Sequence, residues 1–270
     1  MVFQRSLAKK KQLAQRNVFD TTTIKFELSG GSRQYNRAND QELKETRGEW
    51  FTRINLTYGA INNAVKTPFG YFSVLLELGT PDSALFNIAR IKGNLTGWNL
   101  HQSTGQSHSL LLLLNYDYYR NSAFSYGMQS VQWASNSRFR FLPKTVLQIE
   151  AGPSLICLAA ITDQDLFDGK KRDYDYGSGA GLLGMANLLL FERLGLRTNF
   201  SIGWLHTFDG KNANYRVLNT IKALRYQLRK NIFIEYEAGH FMLESIYRDN
   251  TKEKKHNYYK RLSAGYQFRF

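Results

Sequence analysis

His101 and Ser103 stand two residues apart, and Asn115 lies twelve beyond the serine. This is a set that could do acyl-transfer chemistry. His101 would deprotonate Ser103 for attack on a carbonyl, and Asn115 would hold the imidazole in its useful tautomer. Residues at i and i+2 of a strand share one face, so the spacing permits the contact. The surrounding HQSTGQSH, with Gly105 and several turn-favouring residues, also reads as an ordinary polar turn. The chain thus offers a hydrolase reading and a turn reading of the same residues.

Other chemistry-bearing types are thinner. Asp117 in YDYY and Asp173 and Asp175 in RDYDYG could collect a cation. Calcium wants six or more oxygen ligands, more than this stretch supplies. The competing reading is an aromatic girdle whose aspartates bond to nearby loops. Gly177, Gly179 and Gly181 recur at period two with no helix pattern after them. They therefore predict close backbone approach or strong wall curvature, not a phosphate loop. His206 and His240 are expected on an outward face, as girdle or interface residues. Cys157 is the single cysteine, which excludes an internal disulfide and a cysteine metal cluster. No metal site and no cofactor are expected.

The elements that must position these residues are strands. From Leu262 to Phe270 every second residue is apolar or small, with Arg261, Ser263, Gly265, Gln267 and Arg269 between. That is a period-two strand with one greasy and one polar face, ending on an aromatic. Walking back, strands are predicted at Ile232 to Arg248, Arg216 to Leu228, Leu196 to Phe208, Tyr174 to Glu192, Thr145 to Ile161 and Phe124 to Leu142. Further candidates are His108 to Tyr118, Ala84 to Trp98, Tyr71 to Gly79, Glu49 to Tyr58 and Thr22 to Gly30. Loops are expected at Gly31 to Gly48 and Gly59 to Phe69, and short turns at Arg193-Leu194-Gly195 and Arg229-Lys230-Asn231. DNTKEKKHN is expected as a charged loop before the last strand. Connections alternate short and long, the asymmetry of an outer-membrane barrel with short periplasmic turns and longer outer loops. The fold class is therefore all-β: one antiparallel transmembrane barrel of about twelve strands. The division expected is a basic periplasmic segment over 1–20 and the barrel over 21–270.

Alternation assigns faces. Leu147, Ile149, Ala151, Leu155 and Cys157 are expected toward lipid, with Gln148, Glu150, Gly152 and Ser154 inward. Phe200, Ile202 and Trp204 point out, while Arg197, Asn199 and Ser201 point in. Arg225, Glu235, Glu237, Arg261, Gln267 and Arg269 join Glu150 and Arg197 on the inner face. Buried charges of both signs must be paired or wet, so a salt-bridged interior and a pore or ligand lining are both open.

Composition agrees with this class. Aromatics are 14% of the chain, with 16 Tyr and 18 Phe, and only 4 prolines are present. Mean hydropathy is negative, as it also is for barrels whose lumen residues are polar. The longest apolar run, Leu110 to Leu114, is far short of a membrane helix. The net charge of +14 fits solvated loops, or attraction to outer-membrane lipid and lipopolysaccharide. Nucleic acid is not expected, because the aromatics alternate along strands instead of clustering with Lys and Arg. Met1 to Val18 carries Arg5, Lys9, Lys10, Lys11 and Arg16 but no apolar core of a secretion signal. The barrel reading therefore expects a trimmed chain.

Four stretches carry a resemblance over residues 66–270: GYFSVLLELG followed by ALFNIARIKGNLTGWNL, NYDYYRNSAFSYGMQS, RDYDYGSGAG, and GWLHTFDG. In order and spacing they resemble the domain-of-unknown-function 3943 family, an uncharacterised group of bacterial outer-membrane barrels. The resemblance implies the barrel and the outer-membrane location, and no activity. Separately, the spacing of His101, Ser103 and Asn115 resembles that of outer-membrane phospholipase A, a barrel of similar length. That resemblance implies lipid hydrolysis at the outer leaflet. By strand parity, however, the HQSTGQSH connection falls on the periplasmic side.

The function expected is a non-enzymatic integral outer-membrane barrel with a structural, small-solute transport or envelope-complex role. Outer-membrane lipid or lipopolysaccharide, and other envelope proteins, are the expected partners. The alternative is a phospholipase-like hydrolase using His101 and Ser103. A soluble β-sandwich or lipocalin-like binder is a third class. A wide porin is not expected, because barrels of this size are readily filled by side chains.

Overall fold

The computed structural model describes residues 23–39, 42–60, 70–78, 88–103, 105–120, 124–142, 144–163, 172–208 and 214–269. These residues form twelve strands. They are β1 (Thr23–Asn39), β2 (Glu42–Ala60), β3 (Gly70–Leu78), β4 (Ile88–Gln102), β5 (Gln106–Arg120) and β6 (Phe124–Leu142), then β7 (Thr145–Asp163), β8 (Arg172–Leu190), β9 (Leu194–Thr207), β10 (Asn214–Gln227), β11 (Ile232–Ile246) and β12 (Lys252–Arg269). Each pairs antiparallel with its sequence neighbours, and β1 pairs with β12, closing the barrel. Closure leaves no free sheet edge, so every wall strand has partners on both sides. The expected segment over 1–20 lies outside the described residues.

Register sets a steep strand tilt. One hydrogen-bonded row runs from Ile24 through Tyr58, Phe72, Gly93, Leu114, Val131, Leu155, Ala180, Trp204, Arg216 and Glu244 to Lys254. On β12, however, the residue beside Phe26 is Phe268, far down the strand from Lys254. The row climbs the wall as it circles, which is how shear and tilt are linked in a barrel.

Alternation along each strand separates two environments. Leu28, Leu56, Leu114, Trp133, Leu155, Leu182, Trp204 and Leu262 lie exposed on the outside. The expected outward residues Ile149, Leu155, Cys157, Phe200 and Trp204 are exposed there, and Glu150, Ser154 and Ser201 are buried inside. Among the described residues no helix is long and apolar enough to cross a membrane.

Glycines stand where the wall folds tightly. A Cβ on Gly179 would strike the Trp204 carbonyl, and one on Gly181 the Ile202 carbonyl and the Ile156 side chain. The period-two glycines therefore mark close backbone approach. The space in front of them is occupied by Ile156, Leu205 and Tyr215 side chains.

Several boundaries differ from the sequence reading. The stretch expected as a loop at Gly31 to Gly48 is mostly wall, because β1 continues to Asn39 and β2 begins at Glu42. Its residues are polar because the hairpin is tall, and Gly31 lets the backbone close against Leu262. Most of DNTKEKKHN belongs to β12, which starts at Lys252. The turn expected at Arg193-Leu194-Gly195 is instead made by Phe191 and Glu192, both at positive φ (52° and 59°). Gly or Asn would be the usual occupants, so no turn signal marked it. The loop over 61–69 lies outside the described residues.

Candidate functional site

The inward side chains meet across the lumen. Glu77 of β3 is fully buried and accepts hydrogen bonds from Arg33 Nη1 at 2.8 Å, Arg53 Nη2 at 3.1 Å and Arg261 Nη1 at 2.6 Å. These donors come from β1, β2 and β12. Glu237 of β11 is the second anionic centre. It accepts from Arg197 at 3.0 Å and from the Tyr259 hydroxyl at 2.7 Å, pairs with Arg261, and lies 3.6 Å from Arg90. Arg53, which also lies 3.9 Å from Glu237, joins the two centres, and it donates to Glu235 at 3.0 Å as well. Buried carboxylates with several charge-assisted donors are what a low-dielectric interior tolerates.

Toward the end where β1 starts and β12 finishes, the network continues. Arg225 donates both guanidinium nitrogens to Glu27 at 2.7 and 3.1 Å, with Asn55 donating at 3.1 Å. The Arg225 guanidinium lies 3.5 Å over the Phe233 ring. On the other flank Glu150 pairs with Lys92 and accepts from Asn136 at 3.2 Å.

Toward the long-loop end the filling turns aromatic and aliphatic. Tyr126 stacks on Phe241 with centroids 4.1 Å apart, and Tyr119 stacks on both Tyr126 and Tyr259. Ile88, Ile156, Leu205, Val217 and Leu243 pack with them in one buried cluster. Tyr259 reaches this position because its cross-strand partner is Gly239, whose bare backbone takes the ring. Polar crosslinks pass through the same layer. Asn219 of β10 donates to Asp117 of β5 at 3.1 Å, and Lys255 of β12 donates to Asp175 of β8 at 3.1 Å. Side chains from opposite walls are therefore in direct contact.

Most of the expected inner residues belong to this filling: Glu150, Arg197, Arg225, Glu235, Glu237, Arg261 and Gln267 are all lumen-facing, and most are buried. The side chain of Arg269 lies outside those described. Sequence reasoning missed Arg33, Arg53, Glu77, Arg90 and the aromatic layer. Arg33 was hidden by the loop reading of its hairpin. Glu77 was hidden inside GYFSVLLELG, where Leu75 and Glu77 share the inner face and mask the alternation.

The proposed hydrolytic set is not assembled. His101 is exposed near the end of β4. The Ser103 hydroxyl donates to the Gln106 carbonyl and accepts from the Gln106 amide, both at 3.2 Å, inside the short connection. Asn115 sits well up β5 and donates to Ser130 and Gln132 in the lumen. The turn reading holds for Ser103 and Gly105 only, because β4 runs to Gln102 and β5 starts at Gln106, so His101 and His108 are paired strand residues. The aspartate cation set is likewise dispersed: Asp117 is held by Arg90 at 3.0 Å and Asp175 by Lys255, while the Asp173 side chain lies outside those described. Tyr119 corrects the girdle reading of YDYY, since it points into the lumen. Among the described residues no group of three His, Cys, Asp or Glu could hold a metal ion. His206 and His240 do face outward, the first bonded to Asn214 and the second stacked on His256 and Tyr258.

No family model matches the chain, and no curated protein matches it. Solved structures with a similar outline include an outer membrane channel from Pseudomonas putida F1, at 9% identity and a TM-score of 0.47, covering 93% of this chain and 98% of that one. The NanC porin follows at 10% identity and 0.40, covering 88% and 98%. The outer membrane channel DcaP of Acinetobacter baumannii stands at 10% and 0.37, covering 92% and 98%. At TM-scores below 0.5 these likenesses carry nothing to the activity of this chain.

Proposed function

We propose that the chain is a non-enzymatic bacterial outer-membrane barrel whose lumen is sealed by its own side chains. Its role is structural, or as a barrel subunit of an envelope complex. One observation carries this reading: fully buried Arg33, Glu77, Glu237 and Arg261 join β1, β3, β11 and β12 inside the lumen, and Tyr126 of β6 stacks on Phe241 of β11 across it. A wide pore needs a water-filled centre, and here that centre is occupied by protein atoms. The apolar exterior supports the membrane placement, since exposed Leu, Ile, Phe and Trp ring the wall. A barrel is also what the resemblance to the domain-of-unknown-function 3943 family implies, and that resemblance adds no activity. Passage of a small solute would require the arginine–glutamate network and the aromatic layer to part.

The test is conductance after reconstitution in planar bilayers, with heat-modifiable gel migration as the check on folding. A folded barrel that stays silent supports the reading. Steady conductance from the unmodified chain would sink it.

A further inference from the structure

The outward faces of β10 and β12 carry Lys222 and Lys260, and both are exposed. They occupy one hydrogen-bonded row with Ala238 of β11 between them. Strand spacing puts their backbones about 10 Å apart, so two lysine side chains can meet over one alanine methyl. Their outward neighbours are Thr220 and Leu224 on β10, Tyr236 and His240 on β11, Tyr258 and Leu262 on β12, Thr198 on β9 and Gln34 on β1. None is a carboxylate, and neither lysine has an ion-pair partner among the described residues. The nearest outward acid on β11, Glu244, is already paired with Arg216 at 3.2 Å and Lys254 at 3.6 Å. Two unpaired cations on a lipid-facing wall are costly unless the lipid supplies the anion.

An apolar groove of about 440 Å³ opens on the same wall, starting in this row and reaching the next row toward the short turns. Ala186, Thr198 and Ala238 form its small-residue floor, and Leu188, Leu196 and Tyr236 its flanks. Lys222 stands at its edge. The groove runs from the lysine row toward the end with the short turns, since Leu196 lies near the start of β9 and Leu188 near the end of β8. The site therefore has a polarity: cations on its long-loop side, tail groove toward the short turns.

We infer that this wall binds a phosphorylated lipid of the outer leaflet, its phosphate between Lys222 and Lys260 and an acyl chain in the groove. The inference rests on the outer-membrane reading, in which the long-loop end faces outward and outer-leaflet headgroups lie on that side. Charge complementarity selects the phosphate, and the largely apolar lining selects a lipid over a free anion. Lysine stems can cover the apolar wall while their ammonium groups rise to the headgroup.

The experiment is native mass spectrometry of the full chain in nonionic detergent with added lipid A carrying its phosphates, or with its dephosphorylated form. The unmodified barrel should retain the phosphorylated lipid. K222Q/K260Q should lose at least about tenfold in retention, at roughly 1 kcal/mol per lysine, and K222R/K260R should keep it. Equal retention by the unmodified and K222Q/K260Q barrels would overturn the site, as would indifference to the phosphates. Displacement of the lipid by equimolar inorganic phosphate would overturn the lipid assignment. Heat-modifiable migration of each variant separates the two readings. A folded barrel indifferent to the substitutions sinks the site alone, whereas a chain that stays soluble without detergent sinks the membrane reading with it.

Discussion

Arg261 of β12 donates to Glu77 of β3 at 2.6 Å, and both side chains are fully buried. The contact spans β1 and β2, which lie between those strands in the closed wall. It ties the C-terminal strand to the N-terminal third of the barrel through the lumen as well as through the β1–β12 seam.

Two layers in series follow from this arrangement, one ionic and one aromatic. Thinning a single layer should leave the barrel closed. E77A/R261A is therefore expected to stay silent in planar bilayers, because Tyr126 and Phe241 still stack across the path. Y126A/F241A should stay silent for the converse reason. The combined variant is expected to conduct. Conductance from either pair alone would show that the layers do not seal independently.

Removing one partner of a buried pair costs more than the pair itself contributes, since the remaining charges stay buried. Glu77→Gln leaves Arg33, Arg53 and Arg261 facing a neutral amide. The expected loss is about 3–5 kcal/mol, read from guanidinium unfolding in lipid vesicles. Lys144 and Glu192 form the contrasting case, 3.8 Å apart and mostly exposed. Glu192→Gln should change stability by no more than about 1 kcal/mol. Similar losses for the two variants would remove the energetic distinction between lumen and surface.

The wall was legible in the sequence because its signal is local: period-two alternation survives on β7, β9, β11 and β12, and gave Glu150, Arg197, Glu237 and Arg261 their inner face. The filling was not, because it is made by side chains far apart in the chain. Nothing near Glu77 announces Arg261. Where both faces are apolar the alternation vanishes, as in the Leu110 to Leu114 run, whose Leu111 and Leu113 pack inside while Leu114 is exposed outside. Such unbroken runs were the available sign of an apolar lumen. The His101, Ser103 and Asn115 spacing failed for the opposite reason: it treated as one strand face residues that a turn separates.

Outside the wall, the β11–β12 loop carries a pH-sensitive contact. Exposed Asp249 accepts from the Thr251 hydroxyl at 2.6 Å and from the Thr251 amide at 2.9 Å. These bonds, the hydroxyl first, hold its carboxyl below the usual aspartate range. The folded value is thus lower than the unfolded one. The bonds' contribution is fully present above the unfolded pKa and is lost as pH falls through the folded one. Thr251→Ala should move the Asp249 titration upward toward its ordinary value, observed by carboxyl-carbon NMR. An unchanged titration would mean the hydroxyl bond is not formed in solution.

The outward face makes a claim about surroundings that an arginine can test. Leu114 lies exposed on β5, beside Gly93 on β4 and Val131 on β6. Ile91 and Trp133 are exposed near it, so the neighbourhood is apolar on both flanks. In water, replacing an exposed leucine by arginine changes stability by only a few tenths of a kcal/mol. In a bilayer the guanidinium must reach the headgroups or bring water with it, at a cost of about 2–4 kcal/mol near the midplane. Leu114→Arg should therefore lower the unfolding midpoint in vesicles. The control is an arginine at Lys252, which is exposed at the long-loop end of β12 and already carries a positive charge. It should leave the midpoint where it is. Matching behaviour of the two variants would place Leu114 in water and remove the membrane from the account.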